Sequence, residues 1–161
     1  MGTAASETIH AGPDAVISAQ PGNDQVLVKV RAIGVNPIEL VARSGGFGWP
    51  VPVIIGFEFA GTVEAIGESV AGVRIGDRVA GWPDSPVHGS YAEYTLSSNY
   101  ARIPEGVGFE QAAATVIGAD NAARGLALLG LTEGETLVVT GASGALGSAA
   151  VQFARRAGVN V

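Results

Sequence analysis

Glu135-Thr-Leu-Val-Val-Thr140 runs directly into Gly141-Ala-Ser-Gly-Ala-Leu-Gly147, and that turn runs into the Ala-rich segment Ser148–Ala157. The six-residue apolar, β-branched run reads as a short strand. The Ala-rich segment reads as a helix capped by Gly158. Between them, Gly141, Gly144 and Gly147 recur at every third position. A pyrophosphate can approach backbone N–H groups at a helix N-terminus only where no Cβ stands in the way. The unpaired amides and the positive end of the helix dipole then favour the anion. A glycine triplet alone also fits a simple tight turn; a strand before it and a helix after it are the context that phosphate binding requires. The candidate cofactor-binding residues are therefore Gly141, Ser143, Gly144, Ala145, Leu146 and Gly147. Ser143 and Ser148 read either as phosphate donors or as small residues that helix packing tolerates. The order Gly141-Ala-Ser-Gly144 is not a hydrolase nucleophile elbow, which needs a glycine two residues after the serine.

Outward from this turn, Phe109–Ala114 and Asp120–Leu129 are rich in Ala and Leu and read as helices, and Val159–Val161 reads as the opening of another strand. The C-terminal third is thus most of one βαβ unit. A doubly wound nucleotide domain needs about six strands, so residues 116–161 are expected to be the start of such a domain, incomplete within this chain. Residues 1–115 have a different texture. Gln25–Ile33, Phe59–Ile66, Gly76–Gly81 and Ser90–Leu96 are short runs broken by Gly, Pro and Asn, the pattern of an all-β, barrel-like module. Pro21–Asp24 is a turn cluster, and Gly61 marks a bend or bulge in its strand.

Bulk properties narrow the function classes. The chain has 161 residues, 47% hydrophobic and 15% charged, with a net charge of −6. That is ample core material, and no Lys/Arg cluster suits a nucleic-acid face, the longest basic run being Arg155-Arg156. The absence of cysteine removes disulfides, thiolate nucleophiles and cysteine-bound zinc. Met1–Ala11 lacks the form of a signal peptide, and no stretch approaches the roughly 20 apolar residues of a membrane span. The expectation is a soluble, cytoplasmic protein.

Five motifs in order resemble the medium-chain dehydrogenases/reductases, specifically their zinc-independent, quinone oxidoreductase-like branch. Val26-Leu-Val-Lys-Val-Arg-Ala-Ile-Gly-Val-Asn-Pro37 is similar to the family's first strand and active-site entrance. Ile55-Gly-Phe-Glu-Phe-Ala-Gly-Thr-Val-Glu-Ala-Ile-Gly67 resembles its G-x-E-x-x-G-x-V-x-x-x-G signature. Val73–Val79 and Gly89–Tyr94 follow, and Val138–Gly147 with Ala149–Ala154 resembles the cofactor turn and helix. The resemblance implies an α/β protein: a GroES-like β-barrel substrate domain followed by a Rossmann domain, a doubly wound parallel sheet of which this chain would hold only the first part. It also implies an NADPH-dependent oxidoreductase acting on a quinone or an α,β-unsaturated carbonyl. The implied partners are that small molecule and a homodimer mate or complementing chain, with neither nucleic acid nor membrane.

The zinc-dependent branch has Cys and His where this chain has Asn36 and Phe57, so no metal site is expected. Asn36 is the candidate catalytic residue, its amide able to donate to a carbonyl oxygen or orient the nicotinamide; it also fits as the start of a turn before Pro37. Glu58 retains the family's Glu and reads either as a site residue or as a polar group satisfied by backbone or Arg partners. Family members often line the pocket with tyrosines where this chain has Val41 and Phe47, and a Thr of the family is replaced by Asn121. Fewer hydroxyls then face a substrate, which leaves a quinone in question. His88 reads as a general acid or a solvated loop residue. Trp49 and Trp82 read as pocket-rim or core residues, and Tyr91 and Tyr94 as barrel packing. A non-catalytic fragment or degenerate domain, or half of a split enzyme, is the alternative to an enzyme.

Overall fold

The computed structural model describes residues 20–85 and 88–161. Met1–Ala11 with its His10, and Pro86 and Val87 of the loop before His88, lie outside them. Two compact units divide the chain, one reaching to Ala113 and the other spanning Ala114–Val161. The sequence places the division at 115/116.

The first unit is built on β1 (Val26–Ile33), β2 (Phe59–Ile66), β3 (Arg78–Trp82), β4 (Tyr94–Ser97) and β5 (Asn99–Arg102), with helices α1 (Pro37–Arg43) and α2 (Phe109–Ala113). The strands form one antiparallel sheet in the order β4-β1-β2-β3-β5. The sheet is open, not the closed barrel expected: its edges are β4 and β5, which do not pair with each other. Only Ser98 separates those two edge strands in the chain, so the sheet must coil strongly to carry one segment from β1 to β3. Two irregularities in the β1–β2 register, beside Val28 and Arg31, supply curvature.

Alternation explains the core. Val26 and Val28 of β1, Phe59 and Val63 of β2, and Val79 of β3 are fully buried and pack with the buried Val73. Ala60 faces the opposite way and meets Ala112 and Ala113 of α2, small residues that let helix and sheet approach closely. Gly61 is where β2 crosses β1 at closest range, since a Cβ there would overlap the Lys29 carbonyl oxygen.

The second unit contains α3 (Val116–Leu129) and α4 (Ala145–Arg156). Gly130, at φ 62°, ends α3 in the left-handed conformation, and Gly158, at φ 76°, follows α4 in the same way. Gly118 packs against Ala145, where a Cβ would lie 3.2 Å from that residue's backbone. The strand expected over Glu135–Thr140 does not form. A single parallel bridge joins Thr136 to Asn160, held by Leu137 N–H to Asn160 O and Asn160 N–H to Glu135 O, both 2.8 Å. A β-branched run becomes a strand only where ladder partners extend along it, and here the pairing stops after one residue.

Candidate functional site

Asn36 stands at the N-terminus of α1, a helix the sequence reading missed in treating this segment as a turn. Its extended backbone (φ −121°, ψ 163°) suits an N-cap, and Pro37 in the first turn has no N–H to leave unpaired. Glu39, three residues on, accepts the Asn36 N–H on Oε2 at 2.8 Å, the reciprocal arm of a capping box. The sequence Asn-Pro-x-Glu carries that signal, so Glu39 was legible but overlooked.

The Asn36 side chain is turned toward carboxylates. Its Nδ2 donates to Glu58 Oε1 at 2.7 Å and lies 3.5 Å from Glu39 Oε1. Both glutamates are 2% exposed. Asn36 is thus one partner of Glu58, which the sequence reads either as a site residue or as a polar group satisfied by backbone or arginine. Charge-assisted contact with a buried carboxylate is among the stronger hydrogen bonds available to an amide, and it fixes which way the Asn36 side chain faces. The surroundings leave little slack: a Cβ on Gly34 would overlap Glu58 Oε1, and Ser90 Oγ donates to the Glu58 carbonyl at 2.7 Å.

Tyr91 completes this cluster. Its hydroxyl donates to Gly34 O at 3.3 Å, and its ring packs on the cluster of Ala42, Val53 and Ile55. Burial, then the nearby carboxylates of Glu39 and Glu58, raise its phenol above the ordinary tyrosine pKa. The sequence reading assigned Tyr91 to a strand; it lies before β4, on a bend.

Phe57, beside Glu58, sends its ring toward Phe47 and Trp49, at centroid distances of 6.3 and 6.1 Å. His88 is exposed beside Ser85, whose Oγ lies 3.4 Å from Nδ1. Among the described residues no three His, Asp or Glu side chains gather closely enough to hold a metal ion.

In the second unit the glycine turn meets α4 end-on. Gly141 has φ 70°, a conformation that favours glycine, and its carbonyl accepts the Gly144 N–H at 3.0 Å. Gly144 is the N-cap, with the helical ladder beginning at Ser148 N–H to Gly144 O, 2.8 Å. The amides of Ala145, Leu146 and Gly147 precede that first helical bond and have no intrahelical acceptor. A Cβ on Gly147 would overlap the Gly141 carbonyl oxygen, so the tight turn demands glycine there. Gly144 is different: a Cβ would meet only Gly141 O at 3.4 Å, leaving open space over the helix end. Gly141 to Leu146, including Ser143, are exposed. Ser148 Oγ donates to Ala145 O at 3.1 Å, and Asn121 Nδ2 to Ile117 O at 3.0 Å, so both bond within their own helices.

Comparison with known proteins agrees with this layout. Residues 22–119 match the alcohol dehydrogenase GroES-like domain. Human quinone oxidoreductase is 39% identical over 146 residues, covering 88% of this chain and 44% of that protein. The enoyl reductase component lovC of the Aspergillus terreus lovastatin nonaketide synthase is 40% identical over 115 residues, covering 67% of this chain and 31% of that one. Escherichia coli quinone oxidoreductase, solved with NADPH, superposes with a TM-score of 0.74 at 30% identity, over 88% of this chain and 44% of that structure. The chain spans less than half the length of these relatives. With the GroES-like match running through the sheet and the Asn36 cluster, the chain belongs to the medium-chain dehydrogenases/reductases, as a member of their quinone oxidoreductase-like branch.

Proposed function

We propose that this chain is an N-terminal portion of an NADPH-dependent reductase that passes a hydride to a quinone or an α,β-unsaturated carbonyl without zinc. The observation that carries the reading is the glycine turn at 141–147, whose open amides sit at the N-terminus of α4. Residues 116–161 are then the first part of a Rossmann domain, following a substrate domain over 1–115. The amides of Gly144, Ala145, Leu146 and Gly147 would hold the pyrophosphate, with Gly141 shaping the turn and Ser143 at its rim. Bound NADPH would supply the hydride. Asn36 is assigned to the substrate pocket, with Glu58 and Glu39 fixing its orientation. NADPH is favoured over NADH by the Escherichia coli relative, which was solved with it.

Titrating the chain with NADPH and following nicotinamide fluorescence tests this reading. Saturable enhancement is expected, with weakening of at least roughly tenfold in Gly144→Asp, which sets a carboxylate against the phosphates over the same amides. No change at millimolar NADPH overturns it.

A second reading, a half that acts through a complementing chain or a second copy, draws on the apolar surface of the second unit. An open cleft of about 400 Å³ between α3 and α4 is lined by Leu126, Leu131, Phe153 and Val159. Val138 and Leu128 are 83% and 89% exposed. Light scattering separates the cases: a monomer at micromolar concentration that gains no mass from a candidate partner removes this reading. A non-catalytic domain would show neither cofactor binding nor assembly.

A further inference from the structure

The β1–β2 ladder ends at the pair Ile33 and Phe59. Gly34, Asn36 and Glu58 lie just past that last rung, where ladder bonds no longer hold the two limbs together. The segment Gly89–Tyr91 bridges them. Its backbone N–H groups donate to one limb: Gly89 to Ile54 O at 2.7 Å, Tyr91 to Ile55 O at 2.9 Å and Ser90 to Gly56 O at 3.2 Å. Its side chains reach further. Ser90 Oγ donates to Glu58 O at 2.7 Å on that same limb, and the Tyr91 hydroxyl crosses to Gly34 O at 3.3 Å on the other. Ser90 is fully enclosed, and a Cβ on Gly56 would overlap both Ser90 Oγ and the Tyr91 ring. The segment is anchored on β1 as well, since Glu93 O accepts the Val30 N–H at 2.8 Å and Tyr94 of β4 pairs with Lys29.

From this geometry we infer that Ser90 and Tyr91 are positioning residues, which set the spacing between the limbs bearing Asn36 and Glu58 and so hold the Asn36 amide in place. The inference rests on the proposed reductase, in which Asn36 belongs to the substrate pocket. The two hydroxyls come from adjacent residues, so one peptide unit limits how far apart the limbs can drift. Each hydroxyl grips a backbone carbonyl close to the group it positions: Glu58's own, and that of Gly34, two residues before Asn36. The product is the 2.7 Å contact from Asn36 Nδ2 to Glu58 Oε1. An amide that serves a reacting carbonyl loses much of its value on moving by about 1 Å, so the brace acts on the reaction through Asn36. Burial and the carboxylates of Glu39 and Glu58 raise the Tyr91 phenol, which keeps it protonated, and therefore a donor, through neutral pH.

The side-chain amide of Asn36 reports on the brace directly. In the isotope-labelled full chain, nuclear magnetic resonance identifies its N–H pair by the loss of that pair in Asn36→Asp. The Nδ2 proton bonded to Glu58 is expected downfield of its twin and slow to exchange with solvent. Tyr91→Phe keeps the ring and its packing but removes one tie, and Ser90→Ala removes the other. Each is expected to move that proton toward the position of a free amide and to speed its exchange by roughly 2–12-fold, the worth of one hydrogen bond. Val53→Ala is the control, because it thins the core on which the Tyr91 ring packs and leaves both ties intact. The backbone amides of Val28 and Val30 verify that the sheet is folded, and should one variant not fold, the other decides. An Asn36 signal unchanged in either folded variant, or moved as far by Val53→Ala, overturns the proposal. The reductase reading fails separately, by absence of NADPH binding in a chain whose Asn36 signal responds as expected.

Discussion

The sheet unit and the helical unit differ in where they put their apolar residues. In the first, alternate positions of β1, β2 and β3 close on one another until Val26, Val28, Phe59 and Val79 have no exposed surface. Of its buried polar residues, Glu39, Glu58, Ser90 and Ser97 are hydrogen-bonded to neighbours, and the Thr95 hydroxyl has no hydrogen-bond partner. In the second, Leu128, Leu129 and Val138 are 89%, 59% and 83% exposed, and one bridge stands where a strand was expected. Similar residue types therefore have different fates. A helix satisfies its backbone within itself and forms with its apolar stripe uncovered, whereas a strand exists only with a neighbour.

Hydrogen exchange probes that contrast most directly. Amides of Val28 and Val30, inside the β1 ladders, should exchange at least about a thousandfold more slowly than the amide of Val138. Comparable rates would mean that Glu135–Thr140 is paired in solution, removing the distinction.

Two glycine substitutions sharpen the same point with opposite signs. Gly34→Ala should destabilise the first unit by about 3 kcal/mol, because its Cβ must displace the buried Glu58 carboxylate from Asn36. Both tryptophans lie in this unit, so their fluorescence in a urea titration reads it selectively. Gly125→Ala lies on exposed α3 with nothing within 4 Å of its Cβ, and should stabilise the second unit by about 0.5–1 kcal/mol, followed by helical circular dichroism. A loss there would show that the face of α3 at Gly125 is covered.

The smallest effect is a pH dependence. The phenol of Tyr91 is raised in the folded state, so it contributes stability that is present in full below the unfolded tyrosine value of about 10 and is lost as pH rises through the folded value. Tyr91→Phe should change stability at pH 7 by no more than about 1 kcal/mol and flatten the loss as pH rises above about 10. An unchanged alkaline slope would remove Tyr91 from the carboxylate cluster.

Much of the fold was legible residue by residue. Val26–Ile33 and Phe59–Ile66 announce themselves by alternation, and β2 has the bounds read from the sequence. The glycines at 141, 144 and 147 locate the strand-to-helix turn because their spacing and the Ala-rich run after them are local properties. The Asn36 cluster was only half legible. Asn36 and Glu58 came from a motif resemblance, while Glu39 and Tyr91 were missed because their roles depend on residues 3 and 57 positions away in sequence. The capping box could have exposed Glu39; no local pattern could have turned the Tyr91 hydroxyl toward Gly34.

By itself, the sequence determined helices α2, α3 and α4, the glycine-dependent turns and the absence of any thiolate, since each follows from side-chain chemistry or from backbone conformations accessible at one position. Tertiary structure alone decided that β4 and β5 part to opposite edges of one sheet, that Glu135–Thr140 pairs at a single residue, and that the Asn36 amide turns toward Glu58. Those outcomes depend on which distant backbone or carboxylate arrives alongside, and a hydrogen bond has no existence until both of its partners are in place.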